Sequence, residues 1–173
     1  MIGRAFIFIN YKQAAHFGHI GWGFKLGGYD RYLFGSTDHL IHHNVYDPVA
    51  WIRYASVPVG ADTDYWSQEG TLATMLDIMK AGNHIRYHHY KAFPVQNSLP
   101  KEAIQAAEAS GACGWDVLKN NCVHQTYSVL NSYGAKLPAP PPLIQGIGLI
   151  PKVWFKNIEG ELGELRHPST PGL

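Results

Sequence analysis

Apolar residues crowd the start of the chain. Arg4 to Asn10 has the Ile and Phe content of a β-strand. His19 to Leu26 predicts a second strand, interrupted by Gly21 and Gly23, whose missing side chains indicate a close backbone approach on one face. Gly27-Gly28-Tyr29-Asp30 is a turn signal and Arg31 to Thr37 a third strand, so the last two strands form a hairpin. Asp47-Pro48 suits the start of a short helix through Val49, Trp51 and Ile52. Helical spacing returns with Leu72, Met75, Leu76 and Met79. Asp62 and Asp64 are expected to cap that helix and Gly82-Asn83 to end it. His84 to Phe93 reads as extended. Pro100 opens an alanine-rich helix that closes at Ser110-Gly111. The next helix begins at Cys122, turns Val123, Tyr127 and Leu130 to the core, and takes Gly134 as its C-terminal cap. Ala139-Pro-Pro-Pro142 starts an extended tail over residues 138–173, mildly apolar at Trp154 and Phe155 and ending in Pro168–Leu173.

Composition narrows the classes. The 173 residues make one domain of ordinary size, with 46% apolar and 16% charged residues. A formal net charge of +1 lacks the clustered basic face of a nucleic-acid binder. No apolar run approaches the ~20 residues of a membrane span, so membrane contact is not expected. The first ten residues read as a strand and not as a secretory signal, and the cytoplasm is the expected compartment. Two cysteines, Cys113 and Cys122, exclude a disulfide framework.

Chemistry concentrates in Val117-Leu-Lys-Asn-Asn-Cys-Val-His-Gln-Thr126. Cys122 stands on the first turn of a helix, where the partial positive charge of the N-terminus favours a thiolate. Asn120 or Asn121 is the expected N-cap, and the Cys122 N–H is free to face a developing oxyanion. The plain alternative is a small buried core residue. His124 lies about 200° around the helix from Cys122 and is a poor base for it. His19, in Gly18-His-Ile-Gly-Trp-Gly-Phe24, is the better candidate, and Trp22 in the same strand is a candidate binding residue. A third group to hold the imidazole depends on the hairpin register. If Gly28-Tyr29 turn the chain, paired residues sum to 57 and Asp38 faces His19. If Gly27-Gly28 turn it, the sum is 55 and Ser36 does. His39 falls on the other face.

Gly18-His-Ile-Gly-Trp-Gly-Phe24, Tyr32-Leu-Phe-Gly-Ser-Thr37 and the Cys122 helix start, in that order, resemble the circularly permuted papain-like families. The match is to the PPPDE superfamily, the lecithin:retinol acyltransferase-like group and, with the cysteine on the other side of the histidine, the NlpC-type peptidases. The resemblance implies an α+β, permuted papain-like (NlpC-like) fold, in which an antiparallel sheet packs against the cysteine helix. It also implies Cys122 as nucleophile and His19 as general base, in a thiol-dependent hydrolase that uses no cofactor. The implied substrates are peptides, protein conjugates or acyl compounds, through amide, isopeptide or thioester bonds. Residues 40–93 match nothing in those families and are expected to be an insertion. Gln125-Thr126 stands where the families carry an aromatic. Two rival readings are a lipid acyltransferase or phospholipase of the retinol-acyltransferase type, and a non-catalytic interaction module on the same scaffold.

Other features are read plainly. His39, His42, His43, His84, His88 and His89 lack zinc-motif spacing and are expected to be surface or hydrogen-bonded residues. Gly146-Ile-Gly148 lacks the third glycine of a dinucleotide loop. Trp51, Tyr54, Tyr65 and Trp66 are expected in the core, and Cys113 in a structural role.

Overall fold

A computed structural model describes residues 2–14, 16–39, 49, 53–80, 86–141 and 150–165. Six strands form one antiparallel sheet: β1 (Gly3–Asn10), β2 (His19–Lys25), β3 (Tyr32–Thr37), β5 (Tyr65–Gly70), β6 (His89–Val95) and β8 (Glu161–Glu164). Their order is β5-β3-β2-β1-β6-β8. A two-stranded ribbon pairs β4 (Ser56–Val57) with β7 (Trp115–Asp116). Four helices lie wholly within the described residues: α1 (Leu72–Lys80), α2 (Pro100–Ala112), α3 (Cys122–Ser132) and α4 (Pro151–Lys156).

The sheet is covered on both sides. On one face Ile7, Ile9, Ile20, Trp22 and Phe24 pack against Val123, Val129 and Leu130 of α3, Ala103 and Ala107 of α2, and Trp154 and Phe155 of α4. On the other, Phe6, Phe8 and Phe34 meet Met75 and Met79 of α1 together with Tyr87. A sheet buried on both faces explains why β1 is apolar at every position from Ala5 to Ile9 and does not alternate. The two strand glycines face the α1 side. A Cβ on Gly21 would sit 2.6 Å from Tyr87 Oη, and one on Gly23 2.7 Å from Met75 Sδ.

The cysteine helix ends as its sequence suggests. Gly134, with φ +95°, follows the cap, Ala135 N–H donates to Leu130 O at 3.0 Å and Gly134 N–H to Asn131 O at 2.9 Å. Of its expected core residues, Val123 and Leu130 are fully buried and Tyr127 partly so.

Two expectations need correction. Asp62 and Asp64 do not cap the helix, because Tyr65–Gly70 intervenes as an edge strand. That strand is polar and half exposed, so it lacks the apolar alternation that marks strands in a sequence. The helix instead starts at Leu72, with Thr71 Oγ1 accepting from Thr74 N–H at 3.1 Å and Asp30 Oδ1 from Leu72 N–H at 3.1 Å. The stretch 40–93, read as an insertion relative to those families, carries β5, α1 and most of β6. The tail is not simply extended: α4 packs on the sheet and β8 pairs with β6. The short helix expected from Asp47-Pro48 through Ile52, the helix stop at Gly82-Asn83, His42, His43, His84, Trp51, Gly146-Ile-Gly148 and the end Pro168–Leu173 fall outside the described residues, apart from Val49. Among the described residues, no helix is long and apolar enough to cross a membrane.

Candidate active site

Cys122 is delivered by a turn that its own side chains hold. Asp116 Oδ1 accepts from Leu118 N–H at 2.9 Å and Lys119 N–H at 2.8 Å, and Asn120 Nδ2 donates to Gly114 O at 3.0 Å. Asn121, not Asn120, is the N-cap. Its Oδ1 accepts from Val123 N–H at 2.9 Å and His124 N–H at 3.4 Å, while Nδ2 donates to Val117 O at 3.0 Å. His124 completes a capping box, its Nδ1 accepting from Asn121 N–H at 3.3 Å. Burial lowers the His124 pKa, against an opposing effect of Asp116, which suits a neutral ring used as an acceptor. The cap takes the N–H groups of Val123 and His124 and leaves that of Cys122 to other use.

His19 begins β2, beside the end of β3. The observed register pairs Trp22 with Gly35 and Gly23 with Phe34, a sum of 57, which carries Asp38 opposite His19. Both candidates for the third position are nevertheless in contact. His19 Nε2 lies 3.1 Å from Asp38 Oδ1 and 2.8 Å from Ser36 Oγ. Ser36 donates its single proton to Ile20 O at 3.4 Å and accepts from Tyr87 Oη–H at 2.8 Å. Ser36 Oγ and the Asp38 carboxylate therefore both act as acceptors toward Nε2, so that nitrogen carries hydrogen. Tyr87 also stacks on the imidazole, with centroids 5.7 Å apart and planes at 18°.

The electrostatics follow from this geometry. Burial disfavours a charged His19, yet interaction with the Asp38 carboxylate, to which it is hydrogen-bonded, and with Cys122 raises its pKa to about 9. Burial pushes the Asp38 carboxyl up, but the His19 hydrogen bond and charge, Arg86, and the Trp66 hydrogen bond together leave it below its ordinary value. Cys122 is 8% exposed and borders a recess of about 40 Å³, lined also by His19, Phe17, Thr37, Trp115, Val117 and Pro151. A sulfur nucleophile, a cationic ring at its side and a small apolar opening can carry out acyl transfer.

Four of the residues singled out from sequence meet here: Cys122, His19, Asp38 and Ser36. Asn121 and Asn120 build the turn beneath the sulfur. Trp22 does not line the recess; it is buried in the core, stacked on Phe24. His39 reaches Tyr54 O at 3.1 Å and stands 3.6 Å from Asp64 Oδ2, away from His19. Cys113 is exposed at the end of α2. Among the described residues, no group of three or more His, Cys, Asp or Glu side chains is placed to hold a metal ion.

Sequence reasoning missed Tyr87, Trp66 and Gln125. Gln125 is buried, accepts a hydrogen bond from Thr37 Oγ1 and donates to Gly114 O at 3.4 Å, tying the cysteine helix to β3. Its place in the motif, where an aromatic was expected, was the available signal. Tyr87 and Trp66 carried none, since both lie far from either motif in sequence.

No protein-family model matches the chain, and neither a curated protein nor a solved structure does.

Proposed function

We propose that this chain is a cysteine-dependent hydrolase of permuted papain-like architecture, acting on an amide, isopeptide or thioester carbonyl. The observation that carries the reading is a thiol on the first turn of a capped helix bordering the same recess as a buried imidazole whose Nε2 is held by a carboxylate.

In this mechanism Cys122 Sγ, as thiolate, attacks the carbonyl carbon and a C–S bond forms. The carbonyl electrons move to oxygen, and the Cys122 N–H is the first donor to it. Collapse breaks the bond to the leaving nitrogen or sulfur, which takes the proton from His19 Nδ1. The neutral ring then removes a proton from water, whose oxygen attacks the acyl carbon. Collapse releases the acid, and Cys122 again faces a cationic His19. Asp38 holds the ring in orientation and stabilises its charge without taking the proton.

The test is intact-mass analysis after mixing with a panel of activated esters, thioesters and aryl amides. An adduct of the acyl mass is expected on Cys122 in the wild-type chain and not in Cys122→Ala. His19→Ala is expected to slow turnover by about 10²–10⁴-fold, the usual contribution of a positioned acid-base group. Unchanged hydrolysis in Cys122→Ala would overturn the reading.

A further inference from the structure

We propose that Trp66 is a positioning residue of this site, its indole N–H fixing the Asp38 carboxylate so that one oxygen stays aimed at His19. The inference rests on the hydrolase reading and adds a member to it from a strand that neither motif includes.

Trp66 reaches Asp38 because of strand register. β5 pairs with β3 so that Trp66 lies directly opposite Ser36, and Asp38 N–H continues that ladder by donating to Asp64 O at 3.0 Å. Residues two apart on a strand share a face, so Ser36, Asp38 and Trp66 all turn toward His19. Trp66 Nε1 donates to Asp38 Oδ2 at 2.8 Å, while the other oxygen, Oδ1, meets His19. The two oxygens thus have separate partners, and rotation of the carboxylate about its Cβ–Cγ bond would cost both.

The indole is itself held. The Arg86 guanidinium lies 4.5 Å from the ring centroid, with its Nη2 4.0 Å from Asp38 Oδ2. Phe34 contacts the ring edge-on at 6.2 Å. Arg86 is anchored at the end of β1, where Asn10, the cross-strand partner of His19, donates Nδ2 to Arg86 O at 2.8 Å. Among the described residues, the charged and titratable groups around Asp38 are His19 from β2, Arg86 and Tyr87 from the segment before β6, and Cys122 beyond the imidazole. His39 and Asp64 form their own pair just beyond.

Such a role should be visible in the titration of His19. Alkylation of Cys122 by iodoacetate, an anion drawn by the imidazolium, falls as His19 loses its proton near pH 9. Trp66→Phe keeps an aromatic ring against Phe34 and removes the N–H together with part of the indole. It is expected to move this alkaline limb down by about one pH unit, toward the position in Asp38→Asn. It should move it no further when added to Asp38→Asn. Replacing the Trp66 indole by benzothiophene, which exchanges N–H for sulfur at nearly the same shape, should give the same shift and decides the matter if the Phe variant fails to fold. A limb that stays at its wild-type pH in the folded variant, or shifts equally in the Asp38→Asn background, overturns the proposal. A wild-type limb that persists in His19→Ala would instead overturn the hydrolase reading beneath it.

Discussion

His19 keeps a proton on Nε2 in either charge state, because Ser36 Oγ and Asp38 Oδ1 are both acceptors there. The ring can therefore cycle its other proton without losing its orientation, as an acid-base group must. The same bonds link the site to stability. His19 titrates at about 9 in the folded chain against an ordinary 6.5, so its contribution is complete below about pH 6.5 and is lost as pH rises through 9. The shift corresponds to about 3 kcal/mol. Asp38 has the opposite sign: its pKa is lowered, so its contribution holds above its ordinary 3.8 and is lost as pH falls through the folded-state value. Urea unfolding of the wild-type chain should show stability declining from pH 6.5 to 9, and Asp38→Asn should flatten that decline. An equal slope in the two proteins would show that Asp38 does not set the charge of His19.

At the level of elements, the site is made where the start of α3 meets the ends of β2 and β3. Two contacts set that meeting. Gln125, one turn into α3, accepts from Thr37 at the end of β3. Across the sheet, Tyr87 fits over Gly21 and reaches Ser36. Gly21→Ala would force a methyl against a fully buried tyrosine that has nowhere to retreat. A loss of about 1–3 kcal/mol is expected by urea denaturation. Gly27→Ala, at a turn position with nothing within 4 Å, serves as the control and should change little. Equal effects would contradict this account of the strand glycines. The elements legible in the sequence were those with strong local signals: β1, the hairpin with its close-packed glycines, α2, and α3 with its asparagine cap and Gly134 stop. The edge strand β5 was not legible, because a polar strand with one free edge has no apolar periodicity to display. Its error propagated, since reading Tyr65–Gly70 into a helix hid Trp66 from the site.

Across the whole molecule, the sheet order explains both what could be foreseen and what could not. The hairpin β2–β3 and the Cys122 helix lie near the motifs that announce them, so His19, Asp38, Ser36 and Cys122 were all nameable in advance. Arg86 and Tyr87 reach the same place only because β6 runs beside β1, two strands from His19, and no local pattern encodes that neighbour. The tail likewise gains its structure from partners. Lys91 Nζ, from β6, donates to Phe155 O at 2.9 Å and Ile158 O at 2.6 Å, and so fixes the end of α4, the helix whose Pro151 lines the recess. The proposed pairing of sulfur with imidazole is tested most directly by the rate of iodoacetamide alkylation of Cys122 at pH 6 in the wild-type chain and in His19→Ala. The account expects rapid labelling that falls at least about tenfold without the imidazole, since the cationic ring favours the reactive thiolate. Equal rates in the two proteins, or a wild-type thiol that labels only above pH 8, would contradict it.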